Sequence, residues 1–172
     1  SGYCAIEYAE PATSNEINET GVSVALSHSA EDEWFGFSAS VDGDTMMVAA
    51  VWEDTNGFNS GAVYVFVRDD AGVWTEQAKL TAGDGEAEDW FGTRVSLDGD
   101  TALISAWGDD DNGYTTGSAY VFVRDSEGVW TEQAKLTASD GAAFDQLGTS
   151  VSVDGDTALI GAPNVDPGPH PG

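Results

Sequence analysis

The chain has one cysteine, two histidines and only five basic residues among 172. Cys4 has no partner for an internal disulfide, so cysteine usage does not indicate the redox compartment. No apolar run approaches the roughly 20 residues that a helix needs to cross a bilayer, which excludes insertion into a membrane by a helix. His28 and His170 belong to none of the motifs that mark hydrolases or zinc enzymes, so we predict no catalytic site and no enzyme.

The charge balance is strongly acidic, with 31 Asp and Glu against five Lys and Arg, a formal net charge of −26. Such a chain cannot neutralise phosphates over a sizeable surface, so nucleic acid and anionic membranes are excluded as partners. Because the carboxylates are scattered along the chain, three explanations stay open: a surface adapted to high salt, an exterior protein kept soluble by repulsion, or a set of cation-binding loops.

An internal repeat organises the chain. Residues 34–89 and 90–145 align without a gap and are identical at 34 of 56 positions. A third copy begins at Gln146 and ends halfway, and the first residues resemble the second half of a copy. The predicted organisation is therefore a half-repeat, two full repeats, a half-repeat and a tail rich in Pro and Gly, at residues 1–33, 34–89, 90–145, 146–163 and 164–172.

Each full repeat contains four short β-prone runs and no helical spacing. In the second repeat they are Thr93–Leu97, Ala102–Ala106, Ser118–Arg124 and Val129–Leu136. Asp98-Gly99 between the first two runs predicts a tight type I′ hairpin turn. Four antiparallel strands in a repeat of this length are typical of a β-propeller blade, which buries its faces only by stacking on other blades. We therefore expect an all-β fold of about three blades, with one blade divided between the two termini.

Two motifs recur at the repeat spacing, KLTA-x-DG and the Phe-Gly of Phe91-Gly92, and the last copy adds the run DGDTALIGAP that ends at Pro163. With them the chain resembles the FG-GAP repeat family, best known from the propeller of integrin α-subunits, and it looks closest to bacterial and archaeal surface proteins. The resemblance implies a noncatalytic, extracellular or cell-surface module for structure or adhesion. The DxDxDG calcium loop of integrin-type repeats is missing, since the hairpins here are bare Asp-Gly-Asp turns, so that calcium site does not transfer.

A different pair of acidic loops follows the second strand of each repeat. Calcium prefers six to eight oxygen ligands with a glycine at the sharp turn, and these loops offer part of such a set. The alternative is an Asx-turn in which Asn-Gly supplies the positive φ and no metal is needed. The candidate calcium ligands are Glu53, Asp54, Asn56, Asp109, Asp110, Asp111 and Asn112.

The four tryptophans that recur at the repeat spacing have two interpretations. They are Trp34, Trp90, Trp74 and Trp130. Exposed indoles can stack on sugars, but a side chain required in every repeat is more simply explained by packing between repeats, which is the prediction made here.

The two half-repeats complement each other, since one supplies the first two strands of a blade and the other supplies the last two. Closing a ring of three blades within one chain would be strained, because propellers usually have at least four. Head-to-tail pairing between copies gives a ring, for example six blades from two chains, or a filament. The predicted assembly edge comprises Tyr3, Cys4, Ala5, Ile6, Tyr8, Ala158, Leu159, Ile160, Gly161 and Ala162. The alternative is a fragment of a larger surface adhesin that binds a protein or glycan, with or without calcium.

Overall fold

The computed structural model describes residues 4–8, 20–24 and 33–164. These residues form twelve β-strands and no helix. The strands are β1 (Cys4–Tyr8), β2 (Thr20–Val24), β3 (Phe35–Asp42), β4 (Thr45–Ala50), β5 (Ala62–Arg68), β6 (Trp74–Leu80), β7 (Val95–Asp98), β8 (Thr101–Ala106), β9 (Ser118–Arg124), β10 (Trp130–Leu136), β11 (Ser150–Asp154) and β12 (Thr157–Gly161). Tyr3 and Glu10 to Glu19 lie outside the described residues.

The strands form four antiparallel sheets. Strands β3 to β6 make one four-stranded sheet in chain order, the first sheet, and β7 to β10 make the second sheet. Strands β1 and β2 form a separate two-stranded sheet, the N-terminal pair, and β11 and β12 form the C-terminal pair. The prediction of an all-β chain built from four-stranded antiparallel blades is confirmed.

The hairpin turn that joins the first two strands of each repeat differs from the type I′ prediction. Asp98 pairs with Thr101 across the turn, so the two central residues are Gly99 and Asp100. Gly99 has a φ of 56°, whereas Asp100 is not among the residues of positive φ. Glycine at the first central position with positive φ only there is the pattern of a type II′ turn. The type I′ prediction is wrong because it placed the turn one residue too early.

The main hydrophobic core lies between the first and second sheets. Met47, Val63 and Val65 of the first sheet belong to the same buried cluster as Phe91 and Tyr120 of the second repeat. Alternation along the strands explains the arrangement, since Val63 and Val65 point to one side of β5 while Tyr64 points to the other. Each sheet thus has two apolar faces, and one of them is buried by the neighbouring sheet.

The Phe of each Phe-Gly motif packs on aromatic side chains of its own four-stranded sheet. Phe91 packs edge-to-face against Tyr120 and Phe122, with ring centroids 5.5 and 5.9 Å apart. Phe35 packs in the same way on its own sheet, 5.9 Å from Tyr64. Such pairs add a directional contribution to the free energy of burial, which fixes the angle of the loop that carries the Phe.

A backbone contact joins the loop before Phe91, and the loop before its equivalent Leu147, to the loop between the second and third strands of the preceding repeat. The N–H of Phe91 donates to the carbonyl oxygen of Ser60 at 2.9 Å, and that of Glu88 donates to Phe58 at 2.8 Å. The next repeat forms the same bonds 56 residues later. The approach is so close that a Cβ at Gly61 would overlap the backbone of Phe91, and one at Gly117 would overlap that of Leu147. Only glycine fits at these two positions.

We expect Gly61→Ala to destabilise the protein far more than Gly72→Ala. Both glycines have nearly the same positive φ, 85° and 82°, but a Cβ at Gly72 has no neighbour within 4 Å. Gly72→Ala therefore reports the strain of the left-handed conformation alone, on the order of 1–2 kcal/mol. Gly61→Ala adds a backbone clash of about 2 kcal/mol or more. Urea unfolding measures both, and equal losses would show that the clash does not matter.

Candidate functional site

The side chain of Lys135 lies among three carboxylates, two on a loop of the second repeat and one, Asp84, on the loop that ends the first repeat. Its Nζ is 2.6 Å from Asp109 Oδ2, 2.6 Å from Asp111 Oδ2 and 2.8 Å from Asp84 Oδ2. The ammonium also stands 5.4 Å from the centroid of the Tyr120 ring. Strand β10 carries the lysine, and loops of both full repeats carry the carboxylates. The two repeats therefore meet at one cation.

Asp109 is the buried member of this cluster, with 2% of its surface exposed. It accepts hydrogen bonds from Ser118 Oγ at 2.9 Å and from the Tyr120 hydroxyl at 3.0 Å. Burial lowers the pKa of Lys135, but the hydrogen bonds to the three carboxylates outweigh it and raise that pKa overall. Burial and the charge of Asp109 raise the pKa of Tyr120. The lysine therefore stays an ammonium ion and the phenol stays protonated at all ordinary pH values.

The first repeat has a simpler form of the same arrangement. Lys79 Nζ lies 2.5 Å from Glu53 Oε1 and 2.6 Å from Thr55 Oγ1. Thr55 also donates its hydroxyl proton and its backbone N–H to the Glu53 carboxylate. Burial raises the pKa of Glu53, but the hydrogen bonds from Lys79 and Thr55 outweigh it and lower the pKa overall. One buried carboxylate and one lysine thus recur in both repeats.

Other predicted calcium ligands support the loops. Asp54 Oδ1 accepts a hydrogen bond from the N–H of Asn59 at 2.7 Å, and Asn56 Nδ2 donates to the carbonyl oxygen of Ala82 at 2.9 Å. Asp110 and Asn112 are exposed. In residues 4–8, 20–24 and 33–164, no group of three or more His, Cys, Asp and Glu side chains is arranged to hold a metal ion. Calcium at these loops stays a prediction, and it would have to compete with the ammonium group.

Sequence reasoning missed the lysines, although a signal for them existed. The chain has five basic residues, and four of them occupy equivalent positions in the two full repeats: Arg68, Lys79, Arg124 and Lys135. In so acidic a chain, a basic residue retained at the repeat spacing indicates a buried or paired carboxylate nearby. The arginines follow the same rule, since Arg68 and Arg124 form ion pairs with Asp44 and Asp100.

The described residues of the predicted assembly edge lie on or next to β1 and β12, the first and last strands in the described part of the chain. Strand β12 pairs with β11, and β1 pairs with β2; no other partner is recorded for either strand in the described part of the chain. The equivalent strand β8 has neighbours on both sides, β7 and β9. Ala158 and Leu159 are exposed, whereas Ile160, Gly161 and Ala162 are half-buried. Tyr3 lies outside the described residues, and of Cys4, Ala5, Ile6 and Tyr8 only the backbone is described.

A groove of about 280 Å³ separates the second sheet from the C-terminal pair. Thr101, Gln133 and Val121 line one wall, and Val153 and Ala158 line the other. The equivalent space between the first and second sheets is filled by strands β9 and β10. There Arg124 donates to Thr45 Oγ1 at 2.8 Å and Trp130 Nε1 donates to Gln77 Oε1 at 3.3 Å. The groove is thus the place that third and fourth strands would fill.

Of the two tryptophans on the fourth strands, Trp130 packs between repeats and Trp74 packs on its own sheet. Trp130 is 8% exposed and belongs to the core between the two sheets, so the packing prediction is confirmed for this residue. Trp74 packs against the cluster on the other face of the first sheet. Arg68 and Arg124 stand over the faces of these two indoles, 5.5 and 5.2 Å from the ring centroids.

The tryptophans before the Phe-Gly motif are not alike. Trp90 lies directly over Gly108 and is half-buried. In the first repeat Trp52 occupies the position of Gly108, so Trp34 stacks on its ring at 3.7 Å and stays 50% exposed. Trp34 thus contacts Trp52 of its own repeat, as Trp90 contacts Gly108 and Trp107 of its own, and packing between repeats stays a prediction for these two tryptophans. His28 and His170 lie outside the described residues.

The comparison with known families agrees with this geometry. The FG-GAP repeat family matches residues 23–66, 74–122 and 130–172, and the second and third matches begin 56 residues apart. The chain belongs to the FG-GAP repeat family. FG-GAP repeats typically occur in extracellular and surface proteins of the adhesion type, and the family is generally noncatalytic. No helix in the described part is long and apolar enough to cross a membrane. No match is found among curated proteins.

We expect Lys135→Met to destabilise this FG-GAP protein by about 3 kcal/mol, because it leaves the buried Asp109 carboxylate without its counter-ion. The matched variant Lys79→Met loses less, since among the described residues Lys79 forms an ion pair with one carboxylate, that of Glu53. Millimolar Ca²⁺ should raise the melting temperature of Lys135→Met but leave that of the wild type unchanged. A rise of several degrees in the wild type would mean that the ammonium does not take the place of a metal ion.

Asp89 gives the stability a dependence on pH. Its Oδ2 accepts the N–H of Glu86 at 2.7 Å, yet burial and the charge of Asp109 raise its pKa to about 6. A carboxyl group with a raised pKa in the folded state favours folding when protonated. Its contribution is therefore full below pH 4 and lost as the pH rises through 6.

Between pH 4 and 6.5 we expect Asp89→Asn to flatten the pH dependence of the free energy of unfolding. The amide keeps an oxygen for the N–H of Glu86 and carries no charge. The wild type should lose on the order of 2 kcal/mol more than the variant over this range, measured by urea unfolding at several pH values. Parallel pH profiles would show that Asp89 is not the group responsible. Asp145→Asn, which alters the equivalent hydrogen bond in the next repeat, controls for the substitution itself.

Proposed function

We propose that this protein is a noncatalytic, extracellular structural or adhesion module that assembles head-to-tail with copies of itself. The observation that supports the proposal is the pair of two-stranded sheets beside two four-stranded ones. The C-terminal pair has the strands and the turn of β7 and β8, and the N-terminal pair corresponds to β9 and β10. The C-terminal pair of one copy and the N-terminal pair of the next together make one complete blade.

The open edge of β12 has the hydrogen-bonding groups for this union. Asp154 pairs with Thr157 beside the turn, so alternate N–H groups of β12, at Ala158 and Ile160, face away from β11. Their equivalents Ala102 and Ile104 pair with β9. An edge strand with unpaired backbone groups joins other chains readily unless it is protected. A β1 strand from a second copy would satisfy these groups in the way that β9 does within the second sheet.

The symmetry of such a contact sets the shape of the assembly. The two surfaces that meet are different, so each added copy exposes the same open edge again. The contact gives a closed ring where the rotation per copy divides a full turn, and a filament where it does not. A ring of two copies would have six blades, within the usual range for propellers.

A second candidate function has its own support in the groove beside the C-terminal pair. Thr101 and Gln133 there are equivalent to Thr45 and Gln77, which bind the side chains of Arg124 and Trp130. The sequences of β1 and β2 contain neither Arg nor Trp. This favours strands from a further FG-GAP repeat of the usual sequence. The chain would then be part of a larger propeller that binds a protein or glycan ligand, with or without calcium.

We expect Ala158→Pro to abolish self-association without unfolding the protein. Proline removes the outward N–H of β12 and is tolerated on an edge strand. Sedimentation velocity at several concentrations should show the wild type as oligomers and the variant as a monomer. Ser126→Pro, in the exposed turn between β9 and β10, is the control and should assemble normally. A monomeric wild type would exclude the assembly and favour the second candidate.

A further inference from the structure

We call the first strand of each repeat, β3, β7 and β11, its inner strand. The backbone of β7 is joined to the first sheet by hydrogen bonds to side chains of β3. The N–H groups of Val95 and Leu97 donate to the hydroxyls of Ser38 and Ser40, at 3.0 and 3.1 Å. The N–H of Gly99 donates to Asp42 Oδ2 at 2.7 Å. In each case the donor lies 57 residues after the acceptor, one repeat and one residue further along.

The same bonds recur between the second sheet and the C-terminal pair. Val153 N–H donates to Ser96 Oγ at 3.0 Å, and Gly155 N–H donates to Asp98 Oδ2 at 2.6 Å. A third bond is missing because Arg94 replaces the serine of the first repeat, and its guanidinium donates to the carbonyl oxygen of Thr93 instead. These bonds satisfy the outward N–H groups of edge strands β7 and β11, which have a β-partner on one side only.

Strand β11 carries the same row of potential acceptors. Ser150, Ser152 and Asp154 hold the positions of Ser38, Ser40 and Asp42, and all three are exposed. Within the part of the chain that the structure describes, no N–H donates to their side chains. The row that links each inner strand to the following one therefore ends in three free acceptors at β11.

In the described part of the chain, strand β3 has N–H donors without acceptors, whereas β11 has acceptors without donors. Ala39, Val41 and Gly43 hold the positions of Val95, Leu97 and Gly99, the donors of the bonds described above. They are exposed, and no side chain among the described residues accepts their outward N–H groups. Among the residues that the structure describes, β3 thus has three donors and β11 three acceptors without a partner, with the same spacing.

Two apolar side chains are exposed at the same two places. Val41 on β3 is 61% exposed, whereas its equivalent Leu97 is 7% exposed. Leu159 on β12 is 71% exposed, whereas its equivalents Met47 and Leu103 are fully buried. Met47 and Leu97 belong to the core between the first and second sheets. Leu159 and Val41 are thus equivalent to Met47 and Leu97, which share the core between the first and second sheets.

We propose that the C-terminal pair of one copy stacks on β3 of the next copy, through these two rows. Ser150, Ser152 and Asp154 accept hydrogen bonds from the N–H groups of Ala39, Val41 and Gly43 of the second copy. Leu159 covers Val41 of that copy. This interface rests on the head-to-tail assembly proposed above and specifies its second contact, sheet against sheet, in addition to the completed blade.

The two contacts are geometrically compatible. Completing the blade with β1 and β2 of the next copy makes β3 of that copy the inner strand of the following blade. Relative to β11, β3 of the next copy then has the position that β7 has relative to β3 within one chain. The junction between copies has three such bonds, as between the first and second sheets, because Ser150 restores the serine that Arg94 replaces.

Disulfide trapping tests this interface in the full chain with Cys4→Ser, which removes the one native thiol. A Ser152→Cys chain is mixed with a Val41→Cys chain and oxidised. We expect a covalent dimer that forms in the mixture and not with Ser152→Cys alone. A mixture of Ser152→Cys with Val73→Cys, an exposed valine in the turn between β5 and β6, is the control and should give none. The double variant Ser96→Cys and Val153→Cys places the same pair within one chain and should cross-link as a monomer.

The outcomes separate this interface from the assembly itself. If the wild type sediments as a monomer, head-to-tail assembly fails and the interface fails with it. If the wild type assembles and Ser96→Cys with Val153→Cys cross-links, but the mixture of Ser152→Cys and Val41→Cys gives no dimer, the interface alone is overturned. A second measurement avoids cysteine: Ser152→Ala with Asp154→Ala should weaken assembly at least tenfold, while Ser126→Ala with Glu127→Ala, which removes the same groups from an exposed turn, should not.

Discussion

The close backbone contact between successive repeats is the constraint on which the rest of the structure depends. The loops before Phe91 and Leu147 donate N–H groups to a loop of the preceding repeat, at a distance that only a glycine at position 61 or 117 permits. This contact sets the spacing between sheets, and the spacing decides what else can form. The core between the sheets and the bonds between inner strands require neighbouring sheets at this distance. A sheet taken out of the series would lose all of them at once.

The second constraint is the excess of negative charge, which the chain offsets with only five basic residues. A net charge of −26 opposes any compact state, yet the loops bury carboxylates such as Glu53 and Asp109. Glu53 and Asp109 each have a lysine from the fourth strand of their own repeat as counter-ion. A bound cation could serve the same purpose, but a lysine is present at a fixed position without any dependence on the ion concentration outside.

Much of the fold could be predicted from the sequence, because a repeat with strand alternation restricts both the strands and their order. The strands, the all-β class and the glycine turns follow from local pattern, as β7 to β10 illustrate. The serines of the inner strands could not be recognised in this way. Ser40 and Ser96 look like the solvent-facing half of an alternating strand, and their acceptor role depends on how closely the next sheet stacks. The position of Trp34 was likewise decided by one residue, Trp52, that breaks the likeness between repeats.

The exposed residues at the two ends carry the argument for assembly further than the strand count does. A repeat that never met a neighbour on one side would have no reason to keep an apolar side chain or a hydroxyl there. Leu159 nevertheless keeps the branched apolar chain of Leu103, and Ser152 keeps the hydroxyl of Ser96. A free face that bore only solvent would instead favour charged side chains, which this chain has in abundance. Leu159 and Ser152 thus have the side chains that are buried or hydrogen-bonded at the equivalent positions of the preceding repeat.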